Sequence, residues 1–482
     1  GVGGGERLPF EAHGAAIGDL VETVDGIRRN GRPWSAAGSD LSWGYRCCSI
    51  PADVVITAVT LLAAPARDPD AARAEARRTG DWRRRRQPHG RSAGSFFRNA
   101  GTAAAGALLE RCGCRGLQAG NAQLSAAHAN FLRTDGPVTE RDVVALARRA
   151  QYRVYHLTGI RLVPEVQFMG VDADRRLAEN VVPLRITVLK GGASGERSVS
   201  LRTGAAIAQA LRDAGHDVTE VDLPAAELPD LPGPVDVVFP ALHGPFGEDG
   251  QLQALLEERG LAYVGSGVDA SRIIMDKIAA KDLVADAGVP TPRAIAVDTP
   301  DAPLPGDLRF PLVVKPTCQG STLGVSRLNK PSGWWKRALN KAFAVHSAVM
   351  AEEFVDGTEI TVGLLHGDPL PVVEIVPPKG RMFDFDAKYA HSRGHTRYLC
   401  PPKTVPASVQ QHAQNLAVRV YEALGAKDML RVDFIVDRDG TPWFLEANSI
   451  PGFTATSLLP MAAHQAGCSF PELCARLVAA NV

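Results

Sequence analysis

The chain has 482 residues, 45% of them hydrophobic and 22% charged, and its 53 Lys+Arg balance its 53 Asp+Glu to a net charge of zero. This is ordinary globular composition, with length for about three domains. It gives no global field to attract nucleic acid or an anionic membrane, and no apolar run reaches the roughly 18 residues that suggest a membrane span.

The eight cysteines, Cys47, Cys48, Cys112, Cys114, Cys318, Cys400, Cys468 and Cys474, form no paired C-x-x-C pattern. A reduced cytoplasmic chain with buried thiols is therefore expected. The first residue is Gly1 rather than Met and no signal peptide is visible, so the expectation is that the true N-terminus lies upstream.

In chain order, residues 66–91 are Ala/Arg-rich and contain Trp82-Arg83-Arg84-Arg85-Arg86. A basic run invites a nucleic-acid reading. Interspersed acidic residues and zero net charge favour a solvated linker helix instead. A polar break at 172–183 marks the main boundary, and no internal repeat is present. Beyond it, strand-like runs at 185–189, 218–223 and 235–240 alternate with helical patterns at 199–214 and 252–258. This is α/β alternation around a mostly parallel sheet. Ligands in such sheets bind beyond the C-terminal strand ends, where the loops 191–196 and 243–250 fall, the second opening with His243.

Further on, the buried-type strand 311–316 carries Lys315 and leads into Gly320-Ser321-Thr322-Leu323-Gly324. Glycines let backbone N–H groups approach phosphate, and a lysine adds a point charge; the spacing is not that of a Walker loop. A strand over 348–355 ends in Glu352 and Glu353, followed by Gly357 and Glu359. These carboxylates suit an adenine amino group and ribose hydroxyls, or alternatively a solvated hairpin. Two strands near the end, 431–436 and 442–447, flank the hairpin-turn signal Asp439-Gly440. Side chains two apart on a strand share a face, so Glu446 and Asn448 project together, and strand pairing can set Asp433 beside them. Two carboxylates and an amide oxygen are hard ligands of the kind Mg²⁺ takes with nucleotide phosphates. Arg431 adds positive charge, and the set points to phosphoryl transfer.

Over residues 183–482 the order of motifs resembles the ATP-grasp ligases and, among them, the D-alanine–D-alanine ligase family. The matching stretches are GGASGERSVSL (191–201), LHGPFGEDGQLQ (242–253), YVGSG (263–267), MDK (275–277), VVKPTCQGSTLGVS (313–326), EEFVDGTEITVGLL (352–365), FDFDAKY (383–389), RVDF (431–434) and LEANSIPGFTATSLLP (445–460). The resemblance implies that Lys277 and Lys315 bind ATP phosphates, with Lys388 near the γ-phosphate. It implies that Glu352 and Glu359 hold adenine and ribose, that the backbone near Val355 forms the hinge, and that Asp433, Glu446 and Asn448 hold two Mg²⁺ (or Mn²⁺) ions. Glu196, steadied by Ser321 and Tyr389, would anchor the ammonium of the first D-alanine. His243, Ser457 and the backbone at Leu458 belong to the substrate site, and Arg431 and the Gly452 N–H would meet the oxyanion. The product implied is D-alanyl-D-alanine, made through an acyl phosphate for peptidoglycan precursors. The retained Ala387-Lys388-Tyr389 favours D-alanine over D-lactate as second substrate. A D-lactate or other carboxylate ligase and a non-catalytic nucleotide-binding scaffold are the rival readings. D-alanine and ATP are the expected partners, without nucleic acid or membrane, and a homodimer is compatible with the sequence. Two departures stand beside the matched residues: Cys318-Gln319 for the usual Arg-Glu of the lid loop, and Gly425-Ala426-Lys427-Asp428 for the usual Gly-Cys-Arg-Gly.

Residues 1–170 carry a second resemblance, to UDP-N-acetylenolpyruvoylglucosamine reductase. It rests on WGYR (43–46), RSAGSFFRN (91–99), GLQAGNAQLSAAHANF (116–131) and GIRLVPEV (159–166). It implies a protonating serine at Ser95, with Glu165 and Arg46 polarising the enolpyruvyl carboxylate. Leu8-Pro9-Phe10-Glu11 replaces the usual Met-Asn-Ala-Gly, Asn99 is followed by Ala100 rather than proline, and the first FAD-binding segment would precede Gly1. FAD is therefore expected only where that segment is present. The fold expected is a multidomain α/β and α+β protein, an ATP-grasp ligase preceded by a partial FAD-type reductase. Its divisions are a FAD-domain remnant (1–65), a reductase-like substrate domain (66–172), a ligase N-terminal α/β domain (183–275), and central (276–355) and C-terminal (356–482) ATP-grasp parts.

Overall fold

The computed structural model describes residues 11–12, 15–44, 47–62, 68–88, 92–134, 136–166, 183–320, 323–331, 334–377 and 396–482. Arg46, Ser321, Lys388 and Tyr389 lie outside these residues. The chain divides into two compact units, Gly1–Arg86 and Gln87–Val482.

In the first unit, strand β1 (Val21–Arg28) pairs antiparallel with β2 (Pro33–Ala37) and β3 (Val54–Leu61). Val21, Val24 and Leu41 form a small core under this sheet. The expected linker helix is α1 (Pro69–Arg86), which contains the basic run. Its charges are paired along its own surface, Arg73 with Asp70, Arg78 with Glu75 and Arg84 with Asp81, each one helical turn apart. This is the pattern of a solvated helix.

The second unit opens with β4 (Ser92–Ser95), α2 (Ala105–Arg111), β5 (Gln118–Ala119), β6 (Ala122–Leu124) and β7 (Phe131–Thr134), an antiparallel sheet in the order β4-β7-β6-β5. Helix α3 (Glu140–Thr158) follows, started by a Thr139–Asp142 capping box and stopped at Gly159, which has φ +73°. It buries Val144, Leu146, Ala147, Ala150 and Val154 in the core of this sheet.

Next come β8 (Arg185–Gly191), α4 (Arg197–Asp213), β9 (Asp217–Leu223) and β10 (Val237–Pro240). The sheet is parallel throughout, in the order β9-β8-β10, as the alternation predicts. β10 starts two residues later than the pattern suggests because the Asp236 carboxylate receives the Arg185 N–H (2.9 Å) and its guanidinium instead of extending the strand. Helices α5 (Gln251–Glu258), α6 (Val268–Met275) and α7 (Lys277–Asp286) lead to a second sheet. This one is antiparallel: β11 (Ala294–Val297), β12 (Leu312–Pro316), β13 (Ser326–Leu328) and, after helix α8 (Trp334–Phe343), β14 (Val349–Glu353), in the order β11-β14-β12-β13.

The third sheet contains β15 (Thr358–Leu365), β16 (Val373–Val376), β17 (Arg397–Leu399), β18 (Met429–Val436) and β19 (Pro442–Asn448), in the order β17-β16-β15-β18-β19. Helix α9 (Ala407–Ala423) packs on it, and α10 (Leu458–Gln465) and α11 (Phe470–Ala479) close the chain. This is the mixed multidomain architecture expected from the sequence. Among the described residues, no helix is long and apolar enough to cross a membrane.

The second face of α3 packs on the ligase-like part. Tyr152 joins the core shared by β8, α4 and α11, and its hydroxyl meets His216 Nε2 at 2.8 Å. The Leu184 N–H is directed at His216 Nδ1 (3.3 Å), so Nε2 carries the ring proton. Burial lowers the pKa of His216 to about 4, which keeps the ring neutral. Arg153 donates to the carbonyls of Ala479 (3.0 Å), Ala480 (3.1 Å) and Val482. Arg149 reaches Asp236 at 3.2 Å.

The C-terminal segment held this way also serves Asp428, which stands at the last position of the usual Gly-Cys-Arg-Gly and adopts φ +62°. A left-handed backbone disfavours side chains other than Asn or Asp. The Asp428 carboxylate binds the Gly265 N–H (2.7 Å) and the Asn481 amide (2.7 Å), which compensates. Replacing Arg153 with Met should strand the three carbonyls at a cost of about 1–3 kcal/mol. A drop of about 2–4 °C in melting midpoint is expected, read by thermal unfolding of the whole chain.

Candidate active site

The β18/β19 ladder builds the centre of the site. Arg431 is register partner of Asn448, and Asp433 of Glu446. The four side chains thus share one face, as the two-residue spacing requires. The register shifts just after Asp433, so that Phe434 pairs with Phe444; the bulge lets both rings sink fully into the core behind the site. Arg431 grips Asp433 bidentately, with Nε to Oδ1 at 3.0 Å and Nη2 to Oδ2 at 2.8 Å. The Asn448 amide approaches the same carboxylate at 3.4 Å.

Two lysines arrive from other elements. Lys277 opens α7, whose N-cap Asp276 accepts the N–H groups of Ile278 and Ala279. Its ammonium sits 3.3 Å from Glu446 Oε2 and donates to the Gln319 carbonyl at 2.9 Å. Only the backbone of Gln319 is used there, so the Cys318-Gln319 departure leaves this contact intact. Lys315 on β12 pairs with Glu352 Oε1 at 2.6 Å. On the other side of Glu352, Lys281 lies 2.9 Å from Oε2 as an ion pair, off line for a hydrogen bond. Burial pushes the Glu352 carboxyl up, but the two lysines outweigh it and hold its pKa below the ordinary value.

These groups border a cavity of about 540 Å³ between the second and third sheets. Val313, Leu323, Ile375 and Leu445 give it apolar walls, and Glu353 through Glu359, including Val355, run along its edge. Apolar walls with a few polar groups at one end suit a flat heterocycle carrying phosphates. A second cavity of about 710 Å³ is lined by Glu196, Arg202, His243, Glu248, Arg431, Asn448, Gly452, Ser457 and Leu458. Glu446 borders both cavities.

Glu196, at the N-cap of α4, is 8% exposed. Two loops converge on it: a Cβ at Gly244 would lie 3.1 Å, and one at Gly320 3.2 Å, from its Oε2. His243 is locked. Its Nδ1 faces the Ile450 carbonyl at 3.0 Å and its Nε2 the Thr203 hydroxyl at 3.0 Å. A carbonyl only accepts, so Nδ1 carries the proton and Thr203 donates to Nε2. Burial keeps the ring neutral. Ser457 stands at the N-terminal boundary of α10, and its hydroxyl accepts from the Thr454 N–H at 3.0 Å rather than from the helix. Leu458 begins that helix, where N–H groups have no partner within the helix. A Cβ at Gly452 would lie 3.3 Å from Ser457 Oγ, which keeps the Gly452 backbone close to that hydroxyl.

Glu248, Lys281 and Thr203 were not singled out as site residues by the sequence reading, although Glu248 lies in the 243–250 loop. Glu248 lines the second cavity and accepts the N–H groups of Gly244 (2.6 Å) and Ile450 (3.3 Å). Burial, helped by nearby Glu196, raises its pKa to about 8. Ser321, Lys388, Tyr389 and Arg46 fall outside the described residues. In the reductase-like part, Glu165 donates its N–H to the Phe96 carbonyl at 2.7 Å, which brings it beside Ser95.

Residues 284–479 match the family of the D-ala D-ala ligase C-terminus, and 223–266 that of the D-ala D-ala ligase N-terminus. The chain is 45% identical over 298 residues to a D-alanine--D-alanine ligase of Syntrophotalea carbinolica, covering 61% of this chain and 95% of that protein. The chain belongs to the D-alanine–D-alanine ligase family. A ligase of the same name from Gloeobacter violaceus is 44% identical, covering 61% of this chain and 98% of that protein. The fold is similar to the crystal structure of D-alanine--D-alanine ligase from Bacillus anthracis complexed with ATP (TM-score 0.52, 30% identity, 61% of this chain and 96% of that one). It is also similar to the VanG D-Ala:D-Ser ligase from Enterococcus faecalis (TM-score 0.54, 26% identity, 62% of this chain and 100% of that one). The chain is therefore an ATP-grasp enzyme of this ligase family carrying additional N-terminal sequence. Within that sequence, residues 87–169 match the C-terminal domain of UDP-N-acetylenolpyruvoylglucosamine reductase.

The donor set at Asp433, Glu446 and Asn448 fits hard divalent cations, since two carboxylates and an amide share one face of the ladder, with Glu446 bordering both cavities. Arg431 and Lys277 compensate those carboxylates here.

Because the Glu248 pKa rises from 4.5 to about 8, the folded state retains a proton that the unfolded state loses. The stability this contributes is full below about pH 4.5 and is lost as pH rises through 8. Glu248→Gln should flatten that part of the stability profile, measured as melting midpoint from pH 5 to 9; an unchanged slope would refute the assignment.

Proposed function

We propose that the chain catalyses ATP-dependent ligation of two D-alanines to D-alanyl-D-alanine, for peptidoglycan precursor synthesis. The observation that carries this reading is the meeting of a nucleotide-sized cavity and a polar cavity at Glu446, beside Arg431, Asp433 and Asn448. Phosphoryl transfer needs its reactants in line across such a junction.

In this reading, ATP lies in the first cavity with its phosphates toward Lys277 and Lys315, joined by Lys388. Its base meets the strand edge near Val355, and its ribose meets Glu359. Glu352, engaged by Lys281 and Lys315, sets the position of Lys315 as well as facing the base. Glu196, with Ser321 and Tyr389, receives the ammonium of the first D-alanine. A carboxylate oxygen of that D-alanine attacks the γ-phosphorus, the bond to the β-phosphate oxygen breaks, and ADP leaves. The amine of the second D-alanine, its carboxylate against Ser457 and the Leu458 N–H, attacks the acyl carbonyl. The oxyanion meets Arg431 and the Gly452 N–H, phosphate departs, and the nitrogen gives up its proton. Mg²⁺ or Mn²⁺ held by Asp433, Glu446 and Asn448 would neutralise phosphate charge. His243, neutral and locked by Thr203 and Ile450, shapes the cavity wall rather than carrying a proton. The reductase-like region matches only the C-terminal domain of its family, and we assign it no separate reaction.

Purified chain with ATP, Mg²⁺ and D-alanine is expected to release phosphate in step with D-alanyl-D-alanine, with L-alanine inert and D-lactate or D-serine poorer as second substrates. Absence of D-alanine-dependent turnover in a folded chain would overturn the reading. Arg431→Met should lower kcat by on the order of 10²–10³ in a chain that still folds, with a lowered melting midpoint because the buried Asp433 loses its bidentate partner.

A further inference from the structure

We propose that Lys281 is a positioning residue for nucleotide binding: it balances the charge of Glu352 from behind, so that the charge of Lys315 is left for the phosphates. This rests on the first cavity being the nucleotide site, as in the reading above, and gives a role to a residue that the motif pattern does not include.

Lys281 lies on α7 one helical turn after Lys277, and so on the same face of the helix. Lys277, Lys315 and Glu352 line the first cavity, and Lys281 does not. It stands at Glu352 Oε2, while Lys315 takes Oε1. Lys281 and Glu352 are each 3% exposed. The Lys281 ammonium is held independently of Glu352: it donates to the Thr291 hydroxyl at 2.8 Å and to the Pro292 carbonyl at 3.4 Å. Thr291 donates in turn to the Phe444 carbonyl on β19 at 3.0 Å. The third sheet thus fixes the Lys281 charge in place, while the second sheet carries Glu352 and Lys315. At 2.9 Å and off line, Lys281 gives Glu352 Oε2 charge rather than a hydrogen bond.

Two ammonium groups therefore face one carboxylate, which leaves a net charge of +1 beside the cavity. Without Lys281 the buried Glu352 would be balanced by Lys315 alone, and a phosphate could take that ammonium only by stranding a buried carboxylate. With Lys281 in place, Lys315 can turn from carboxylate to phosphate and leave neither unbalanced. Burial raises the Glu352 carboxyl, and Lys281, followed by Lys315, brings its pKa below the ordinary value, as expected of an ionised carboxylate shared by two cations. The ligand class favoured in this way is a nucleoside polyphosphate; a bare nucleoside gains nothing from it.

The test measures dissociation constants of ATP, with Mg²⁺ and without D-alanine, and of adenosine for the full chain. Adenosine offers the same base and ribose but brings no phosphate. Lys281→Gln removes the charge and keeps a donor for Thr291; it should weaken ATP about 10–100-fold and leave adenosine nearly unchanged. Adding Glu352→Gln restores the net charge of +1, and the ratio of ATP to adenosine affinity should return to that of wild type. Equal weakening of both ligands by Lys281→Gln would assign Lys281 to packing, and unchanged ATP affinity would deny it a role; either overturns the proposal. Where Lys281→Gln alone does not fold, the double variant decides: a wild-type ratio supports the proposal and a ratio shifted either way overturns it. Wild type that binds neither ligand would overturn the nucleotide reading and the proposal with it. Wild type that binds ATP but makes no dipeptide would overturn the ligase reading alone, and the affinity ratios would still decide the role of Lys281.

Discussion

The pairing of β18 with β19 is the constraint on which the site depends. A strand pair slipped by one residue would turn Arg431, Asp433, Glu446 and Asn448 to the opposite face. The slip is blocked by the burial of Phe434 and Phe444 behind the site, both wholly inaccessible. The local bulge lets these rings pair while Asp433 stays opposite Glu446. Core packing and catalytic register are therefore the same property of one hairpin. The tight turn between the strands is held by Asp437, which accepts the N–H groups of Asp439 and Thr441 and the Trp443 indole.

Around that hairpin the charges are arranged in compensating sets. Lys315, Glu352 and Lys281 form one, Arg431 and Asp433 a second, Lys277 and Glu446 a third. Buried charges persist only when paired, and these pairings keep cations and carboxylates at the places where phosphates and divalent ions would exchange with them. The amino-acid cavity differs. Its Glu248 is held by two backbone N–H groups and its histidine is neutral.

Within the second unit, the reductase-like residues are packed on the ligase-like part. Helix α3 serves two cores at once, one in its own sheet and one against β8, α4 and α11. Arg153 gathers the last carbonyls of the chain, and Asn481 in that same segment binds Asp428, one residue before β18 begins. A continuous set of polar contacts thus joins the reductase-like helix to the strand carrying Arg431 and Asp433.

Much of this was legible in the sequence because it is local. Strand period two put Glu446 and Asn448 on one face, α/β alternation gave the parallel sheet, and ordered short motifs gave the ligase family. The side-chain partners were not legible. Lys281 finds Glu352 across 71 residues and His243 finds Ile450 across 207, and periodicity carries no information about contacts at such separation. The protonation of Glu248 and the neutrality of His243 depend on burial, which exists only once the loops have closed over them. Sequence alone determined the reaction family and the residue types at its centre, since these are written in short motifs. Tertiary structure alone decided which charges are paired with which, and how α3 is joined to the catalytic strand, because each is set by packing between segments far apart in the chain.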